Sequence, residues 1–220
     1  MHMEVTETRY FNLFYSKEDE NVLQRISTLI DATYENVINM FGLRTDTDKF
    51  EFVLCPNVSV FKKEAEITDE RYKEWMVGNT DYAHRKICVL SPDAVTDRAF
   101  DDMLSVMKHE VIHLAFDQLG NENQANMMLS EGIAVALAGQ INICQLNKDR
   151  YPDVRKLSDE QYFYENHGYL YSGAYVLHLL KKCGAESFKK VYCGEETIDS
   201  HLYDGFERDA IDELLNEKLR

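Results

Sequence analysis

The sequence has few features of secreted, membrane-spanning or nucleic-acid-binding proteins. Its five cysteines are scattered and odd in number, and no Cys-x-x-Cys pair occurs. This pattern excludes a disulfide framework and indicates a reducing compartment, so we expect a cytoplasmic protein. No run of about 18 apolar residues is present, which predicts no transmembrane helix. The opening stretch MHMEVTETRY also lacks the apolar region of a secretory signal.

Positive charge is scarce as well. The chain carries 24 Lys and Arg against 39 Asp and Glu, a formal net charge of −15. Nucleic acid and anionic membranes would be repelled by such a protein, and we expect neither as a partner. The charge fits either simple solubility or a preference for basic substrates. The sequence contains no G-x-S-x-G motif, no Gly-rich phosphate loop and no internal repeat.

The first hundred residues alternate between strand and helix patterns. Strands are predicted at 5–15, 49–55 and 85–90, helices at 16–42 and 58–74, and a loop at 75–83. The rest of the chain is mostly helical, with apolar helices predicted at 103–118, 127–138 and 168–182. A polar connection spans 142–161, and amphipathic helices broken near Gly194 and Gly205 form the tail. We expect Leu202, Phe206, Ile211, Leu214, Leu215 and Leu219 to complete the core.

Residues 103–118, MLSVMKHEVIHLAFDQ, contain an H-E-x-x-H motif formed by His109, Glu110 and His113. Helical positions i and i+4 share one face, so both imidazoles point the same way. Two imidazoles make half of a tetrahedral zinc site. Glu110 would lie beside the metal, where it can take a proton from a bound water. The alternative is an ordinary core helix whose histidines bond to carbonyls or carboxylates.

The third ligand decides the class of zinc protein. A metzincin continues H-E-x-x-H-x-x-G-x-x-H, but Phe116 and Leu119 stand at the glycine and third-histidine positions, which excludes that class. The other common third ligand is a Glu on a following helix. Gly120 is predicted to end the first helix, and the polar residues 121–125 are predicted to form a turn before the second.

Glu131 is the candidate on that second helix. It is the only carboxylate between residues 125 and 147, and its neighbours are small or apolar. A turn between the helices would bring it back to the metal, and small residues such as Gly132 and Ala134 permit close approach. Glu122 is the rival ligand, but it lies too near the turn to reach His109 and His113. Alternatively, Glu131 is a solvent-facing residue near a helix start.

The segments HEVIHLAF and LSEGIAVALAG resemble the gluzincin group of zinc metallopeptidases, most closely its small peptidase-MA-like branch. The resemblance implies an α+β, zincin-like fold with a small twisted N-terminal sheet, a zinc-binding helix pair and a mostly helical C-terminal part. It implies one peptidase domain over 1–220, with an α/β lobe at 1–100 and a helical lobe at 101–220 that carries the zinc site. The ligands of Zn2+ would be His109, His113 and Glu131, with Glu110 as general base.

Further roles rest on the same resemblance. In gluzincins the strand before the zinc helices is the sheet edge over the cleft, which implies a substrate wall at 78–83 and 86–90. A tyrosine near the start of the helix after the ligand Glu stabilises the oxyanion, and Tyr169 and Tyr171 flank that position. His167 and His178 are further candidates, but the residues favour a satisfied core or surface histidine for each. Thermolysin-type members carry an acidic residue four positions after the ligand Glu. Val135 occupies that position in this sequence, so the hydrogen bond that orients the first ligand His must come from another residue.

These features predict a zinc-dependent metallopeptidase that hydrolyses peptide bonds in a peptide or protein substrate. The alternative is a catalytically inactive or regulatory peptide-binding module that retains the zincin fold. The intact Glu110 argues against loss of activity. A structural zinc site is a third reading, but structural zinc favours four protein ligands, often Cys, and no Cys lies near the motifs. The sequence sets no oligomeric state.

Overall fold

The computed structural model describes residues 3–45, 48–119, 126–149 and 151–217. Contacts between Cα atoms divide the chain into two compact units, Met1–Gln118 and Leu119–Arg220. The boundary follows the predicted H-E-x-x-H helix, whereas the expected lobes separate before it, near residue 100. That the whole chain forms one zincin-like domain stays a prediction.

The first unit contains a mixed sheet of five strands. They are β1 (Glu4–Glu7), β2 (Phe11–Tyr15), β3 (Phe50–Cys55), β4 (Gly78–Asp81) and β5 (Lys86–Leu90), in the spatial order β1-β2-β3-β5-β4. The central strands β2, β3 and β5 run parallel, while β1 and β4 pair antiparallel with β2 and β5. β3 and β5 are buried along nearly their whole length, as expected for parallel strands covered on both faces.

Three helices accompany this sheet: α1 (Leu23–Phe41), α2 (Val58–Glu64) and α3 (Phe100–Asp117). α1 packs on α3, α2 on β3 and β5, and α3 on β4 and β5. α1 ends as predicted at Gly42, whose φ of 60° suits the left-handed cap that glycine adopts without strain. α2 is shorter than predicted, and Glu66 with φ 53° takes the chain out of helical geometry two residues past its end.

The predicted strand over 5–15 is a hairpin rather than one strand. The turn between β1 and β2 is held by Asp31 of α1, which accepts hydrogen bonds from Thr8 Oγ1 at 2.7 Å and from the Arg9 backbone at 2.9 Å. The helix predicted from Ser16 is likewise interrupted, because a short 3-10 turn, Lys17–Asp19, precedes α1. Asp31, which is distant in sequence, therefore fixes the position of the hairpin turn.

Asp19 is a buried carboxylate, only 1% exposed, at the carboxyl edge of the parallel strands. Ser16, directly after β2, donates to it through its backbone N–H at 3.2 Å and its hydroxyl at 2.7 Å. Ser91, directly after β5, donates a third hydrogen bond. These donors supply the partners that a buried charge requires, and they tie together the ends of two non-adjacent strands.

The edge strand differs from the expected one. Residues 78–81, predicted as loop, form β4, and β4 is the edge of the sheet beyond β5. The strand at 86–90 therefore lies inside the sheet and cannot be the exposed edge that the family resemblance implied. Gly78 and the polar residues Asn79, Thr80 and Asp81 lack the apolar alternation by which a strand is recognised in sequence.

The second unit is helical in its described part. Its helices are α4 (Met127–Ala138), α5 (Glu160–Glu165), α6 (Gly168–Tyr192) and α7 (Phe206–Glu217). α4 has the predicted bounds and packs against α6, which in turn contacts α5 and α7. α6 runs past the predicted end, with a kink at Gly184, where φ is 79°. The connection at 142–161 contains two short 3-10 turns and the first residues of α5.

The predicted C-terminal core is present in part. Phe206, Ile211 and Leu214 are buried, Leu202 and Leu215 are half-buried, and Leu219 lies outside the described residues. Within the described ranges, no helix combines the length and apolar character needed to cross a membrane. The observed class is α+β, as predicted.

Candidate functional site

The H-E-x-x-H motif lies in the second half of α3. This helix buries residues on more than one side, including Met107, Val111 and Ile112 at 0% exposure. Asp102 in its first turn accepts a hydrogen bond from the Ala99 backbone at 3.2 Å, which caps the helix start. The motif therefore lies on a well-packed helix, as the sequence predicted, but this helix belongs to the first unit rather than to the expected lobe at 101–220.

His109 and His113 face each other on that helix. Their Nε2 atoms are 2.9 Å apart, and their ring planes meet at 77°. Zinc binds imidazole nitrogen at about 2.0–2.1 Å, so both atoms can lie at bonding distance from one ion. His113 is 8% exposed, and the less buried His109 leaves access to the pair.

Glu131 completes a group that could hold a metal ion. One ligand atom each from His109, His113 and Glu131 lies within 4.8 Å of the others. Two imidazoles and one carboxylate match the open type of zinc site, which leaves a fourth position for water or substrate. The donor set fits the expected metal.

Glu131 is placed by the local fold of α4. The side chain of Asn126 accepts a hydrogen bond from the Met128 backbone at 2.9 Å and so begins the helix one turn before Glu131. Glu131 is half-buried rather than exposed, which argues against a solvent-facing residue. The rival ligand Glu122 and the predicted helix end at Gly120 lie outside the described residues.

Glu110, the expected general base, is 9% exposed. Thr80 of β4 donates a hydrogen bond from its hydroxyl to Glu110 Oε2 at 2.7 Å, and the same hydroxyl lies 3.1 Å from the Glu110 backbone oxygen. Gly78, two residues earlier, lies against the other carboxylate oxygen. The family resemblance placed 78–83 in a substrate wall, which stays a prediction. The contacts of Gly78 and Thr80 with Glu110 were not foreseen, because the loop predicted at 75–83 gave no reason to orient them towards α3.

Tyr169 and Tyr171 both lie in the first turn of α6. The Tyr171 hydroxyl accepts a hydrogen bond from the Asn147 backbone at 3.2 Å, and its side chain is 5% exposed. The Tyr169 ring packs edge-on against Phe163 with centroids 5.0 Å apart. Their role as oxyanion donors stays a prediction.

A third tyrosine on α6 holds the polar connection. Tyr175 donates its hydroxyl to the Pro152 carbonyl at 2.8 Å. Burial raises the pKa of Tyr175, with a smaller contribution from the negative charge of Glu207, so the hydroxyl keeps its proton and remains a donor. The hydrogen bonds of Tyr175 with Pro152 and of Tyr171 with Asn147 attach the polar connection at 142–161 to α6 at two points.

Two further histidines named from the sequence, His178 and His167, differ in their burial. His178 is 3% exposed, and its two ring nitrogens lie 2.6 Å from Glu213 and 3.0 Å from the Tyr203 hydroxyl. It is a satisfied core histidine, as predicted, whereas His167 is exposed. All five cysteines lie among the described residues, and none of them forms a disulfide bond.

The sequence was also compared with known proteins. No protein-family model matches the chain, and no curated protein matches it. The gluzincin resemblance therefore depends on the two motifs and on the group that His109, His113 and Glu131 form.

Proposed function

We propose that the protein is a zinc-dependent metallopeptidase of the gluzincin type, with a zincin-like fold, that acts on a peptide or protein substrate in the cytoplasm. The observation that carries the proposal is the group of His109, His113 and Glu131, whose ligand atoms lie within 4.8 Å of one another, with Glu110 adjacent in the chain. Three ligands of the open type favour catalysis over a structural site.

The residues divide the chemistry between them. His109, His113 and Glu131 would hold Zn2+, which lowers the pKa of a water towards about 7 and polarises a carbonyl oxygen. Glu110 takes a proton from the attacking water and later gives it to the leaving amine, so that the peptide bond is hydrolysed without net gain or loss of protons by the protein. Tyr169 or Tyr171 would donate a hydrogen bond to the oxyanion.

Metal content tests the ligand set. Protein purified without chelator is expected to contain one zinc per chain by mass spectrometry, and Glu131→Ala is expected to lose it. Glu165→Ala, on an exposed position of α5, is the matched control and should keep the metal. Zinc retained in Glu131→Ala would remove Glu131 from the ligand set, while a wild type without zinc would overturn the proposal.

Turnover separates an enzyme from a binding module. Wild type is expected to cleave members of a peptide library, and Glu110→Gln should reduce kcat/KM by about 10²- to 10⁴-fold because the amide cannot accept the proton. The variant should still contain zinc. A zinc-loaded wild type that binds peptides without cleaving any of them would favour the regulatory module.

A further inference from the structure

Two residues of β4 enclose the carboxylate of Glu110. Gly78 and Thr80 are two positions apart on the strand, and alternate residues of a strand face the same side. That side meets α3, because Thr80 bonds to Glu110 and a Cβ built on Gly78 would meet Glu110 and Val106. Both partners lie in the first unit, so the arrangement belongs to one compact body.

The Thr80 hydroxyl carries one proton, and two oxygen atoms of Glu110 can accept a hydrogen bond from it. Glu110 Oε2 at 2.7 Å is the nearer one, and a charged acceptor makes the stronger bond. The Glu110 backbone oxygen at 3.1 Å is the second. Thr80 thus lies between the backbone and the carboxylate of Glu110. Its hydrogen bond restricts the rotation of the Glu110 side chain, which has several rotatable bonds.

Gly78 provides the space for the other oxygen. A Cβ at this position would lie 2.5 Å from Glu110 Oε1 and 2.9 Å from Val106 Cγ1, both closer than real Cβ contacts. Any larger residue would therefore push the carboxylate or the strand away. Within the described residues, Thr80 donates the hydrogen bond that Glu110 Oε2 accepts. The other carboxylate oxygen, Oε1, lies beside Gly78.

We propose that Gly78 and Thr80 are positioning residues for the general base: Thr80 donates a hydrogen bond to Oε2 of Glu110, and Gly78 leaves Oε1 the space that any larger side chain would fill. This inference rests on the proposed function, since it assigns a role within that site. A general base that is already in position needs no reorganisation during the reaction. Displacement of such a group by about 1 Å costs about 100-fold in rate.

Thr80→Val tests the hydrogen bond at nearly constant shape. We expect kcat to fall about 10- to 100-fold while KM stays within about twofold and zinc content is unchanged, because Thr80 acts on the base alone. Thr80→Ser keeps the hydroxyl and should restore kcat to within about threefold of wild type. Thr28→Val is the matched control, since among the described residues the Thr28 hydroxyl donates to the Gln24 backbone oxygen on the exposed face of α1.

Several outcomes would overturn the inference. An unchanged kcat in Thr80→Val, or no rescue by Thr80→Ser, would show that the hydrogen bond does not position the base. Loss of zinc in Thr80→Val would mean that the residue supports the metal site instead. Gly78→Ala should lower kcat by a similar factor through displacement of Oε1, and full activity in that variant would contradict the role of Gly78.

A thermal double-mutant cycle gives a readout that needs no turnover. In the wild-type background, Thr80→Val is expected to lower Tm by about 2–4 °C. In the Glu110→Met background it should lower Tm by much less, because methionine has a side chain of similar length without the carboxylate oxygens. Equal shifts in both backgrounds would show that Thr80 does not act through Glu110. If wild type proves to lack zinc or activity, the proposed function fails, whereas the cycle still measures the coupling.

Discussion

Lys86 and Glu64 form a partly shielded ion pair in the first unit. Lys86 Nζ lies 3.1 Å from Glu64 Oε2, and the two side chains are 16% and 28% exposed. The hydrogen bond from Lys86 is the largest effect on Glu64 and lowers its pKa below 4.5. Burial disfavours the Lys86 ammonium, but the hydrogen bond to Glu64 and nearby negative groups outweigh it and raise its pKa above 10.5.

The pair therefore has a defined pH window. Its contribution to stability is full between pH 4.5 and pH 10.5, is lost as pH falls through the lowered pKa of Glu64, and is lost as pH rises through the raised pKa of Lys86. We expect Lys86→Met to lower the free energy of unfolding by about 1 kcal/mol at pH 7. Urea unfolding of variant and wild type at a series of pH values measures the difference.

Lys63→Met provides the comparison for this prediction. Lys63 also approaches Glu64, at 3.6 Å, but its side chain is 82% exposed, so its removal should have little effect at any pH. A Lys86→Met deficit that persists undiminished in acid, where Glu64 is protonated, would contradict the ion-pair explanation.

The residues of the candidate site differ in how readily the sequence indicates them. His109, Glu110 and His113 follow from helical spacing alone, since i and i+4 share a face whatever the rest of the fold does. Glu131 stood out because it is an isolated carboxylate in an apolar helix. Thr80 could not be found in this way, because its contact with Glu110 depends on which helix packs against β4.

Between elements, the packing of α4 against α6 depends on a glycine. A Cβ on Gly132 would lie 2.6 Å from the Ser172 backbone oxygen and 2.5 Å from Val176 Cγ2. Gly132→Ala should lower the free energy of unfolding by about 2 kcal/mol, because overpacking against backbone outweighs the gain of about 1 kcal/mol in helix propensity. Urea unfolding followed by circular dichroism, in chelator to remove metal effects, measures it.

Gly173→Ala is the matched variant on the facing helix. Its added methyl would meet side-chain atoms of Val135 and Ile141 rather than backbone, and side chains can move aside at lower cost. We expect about half the destabilisation of Gly132→Ala. Equal losses in the two variants would show that backbone contact is not what makes Gly132 sensitive.

Elements were predictable where local signals decide them. α4 has the predicted bounds, and Gly42 ends α1 as expected. The hairpin of β1 and β2 was missed because its turn is held by Asp31, which is distant in sequence. β4 was missed because its pairing with β5 stabilises a polar segment that has no strand pattern of its own.

For the whole molecule, the net charge of −15 predicts a stability that depends on salt concentration. Like charges repel each other most in the compact state, and salt screens this repulsion. We expect Tm to rise by several degrees between about 10 mM and about 300 mM NaCl, as measured by calorimetry. Sucrose at equal osmolality is the control for solute exclusion; a fall in Tm with added salt would show that attractive ion pairs dominate instead.

The α+β class of the molecule followed from the order of its elements, but the order of its strands did not. Composition and hydrophobic spacing predict strands and helices one by one. Placing β5 between β3 and β4 requires contacts across the sheet, and no local pattern encodes them. The family resemblance misplaced the edge for the same reason.

Asp19 has a consequence for the time at which the sheet can close during synthesis. Ser91, which donates the third hydrogen bond to Asp19, is synthesised 72 residues after Asp19. The same delay applies to the sheet, because β3 waits for β5 as its second parallel neighbour and β4 pairs only with β5 among the described strands. A ribosome releases the chain from its N-terminus, so β1, β2 and β3 emerge first and must persist with an unfilled edge and a solvated carboxylate. Translation has to pass residue 91 before this unit can complete its fold.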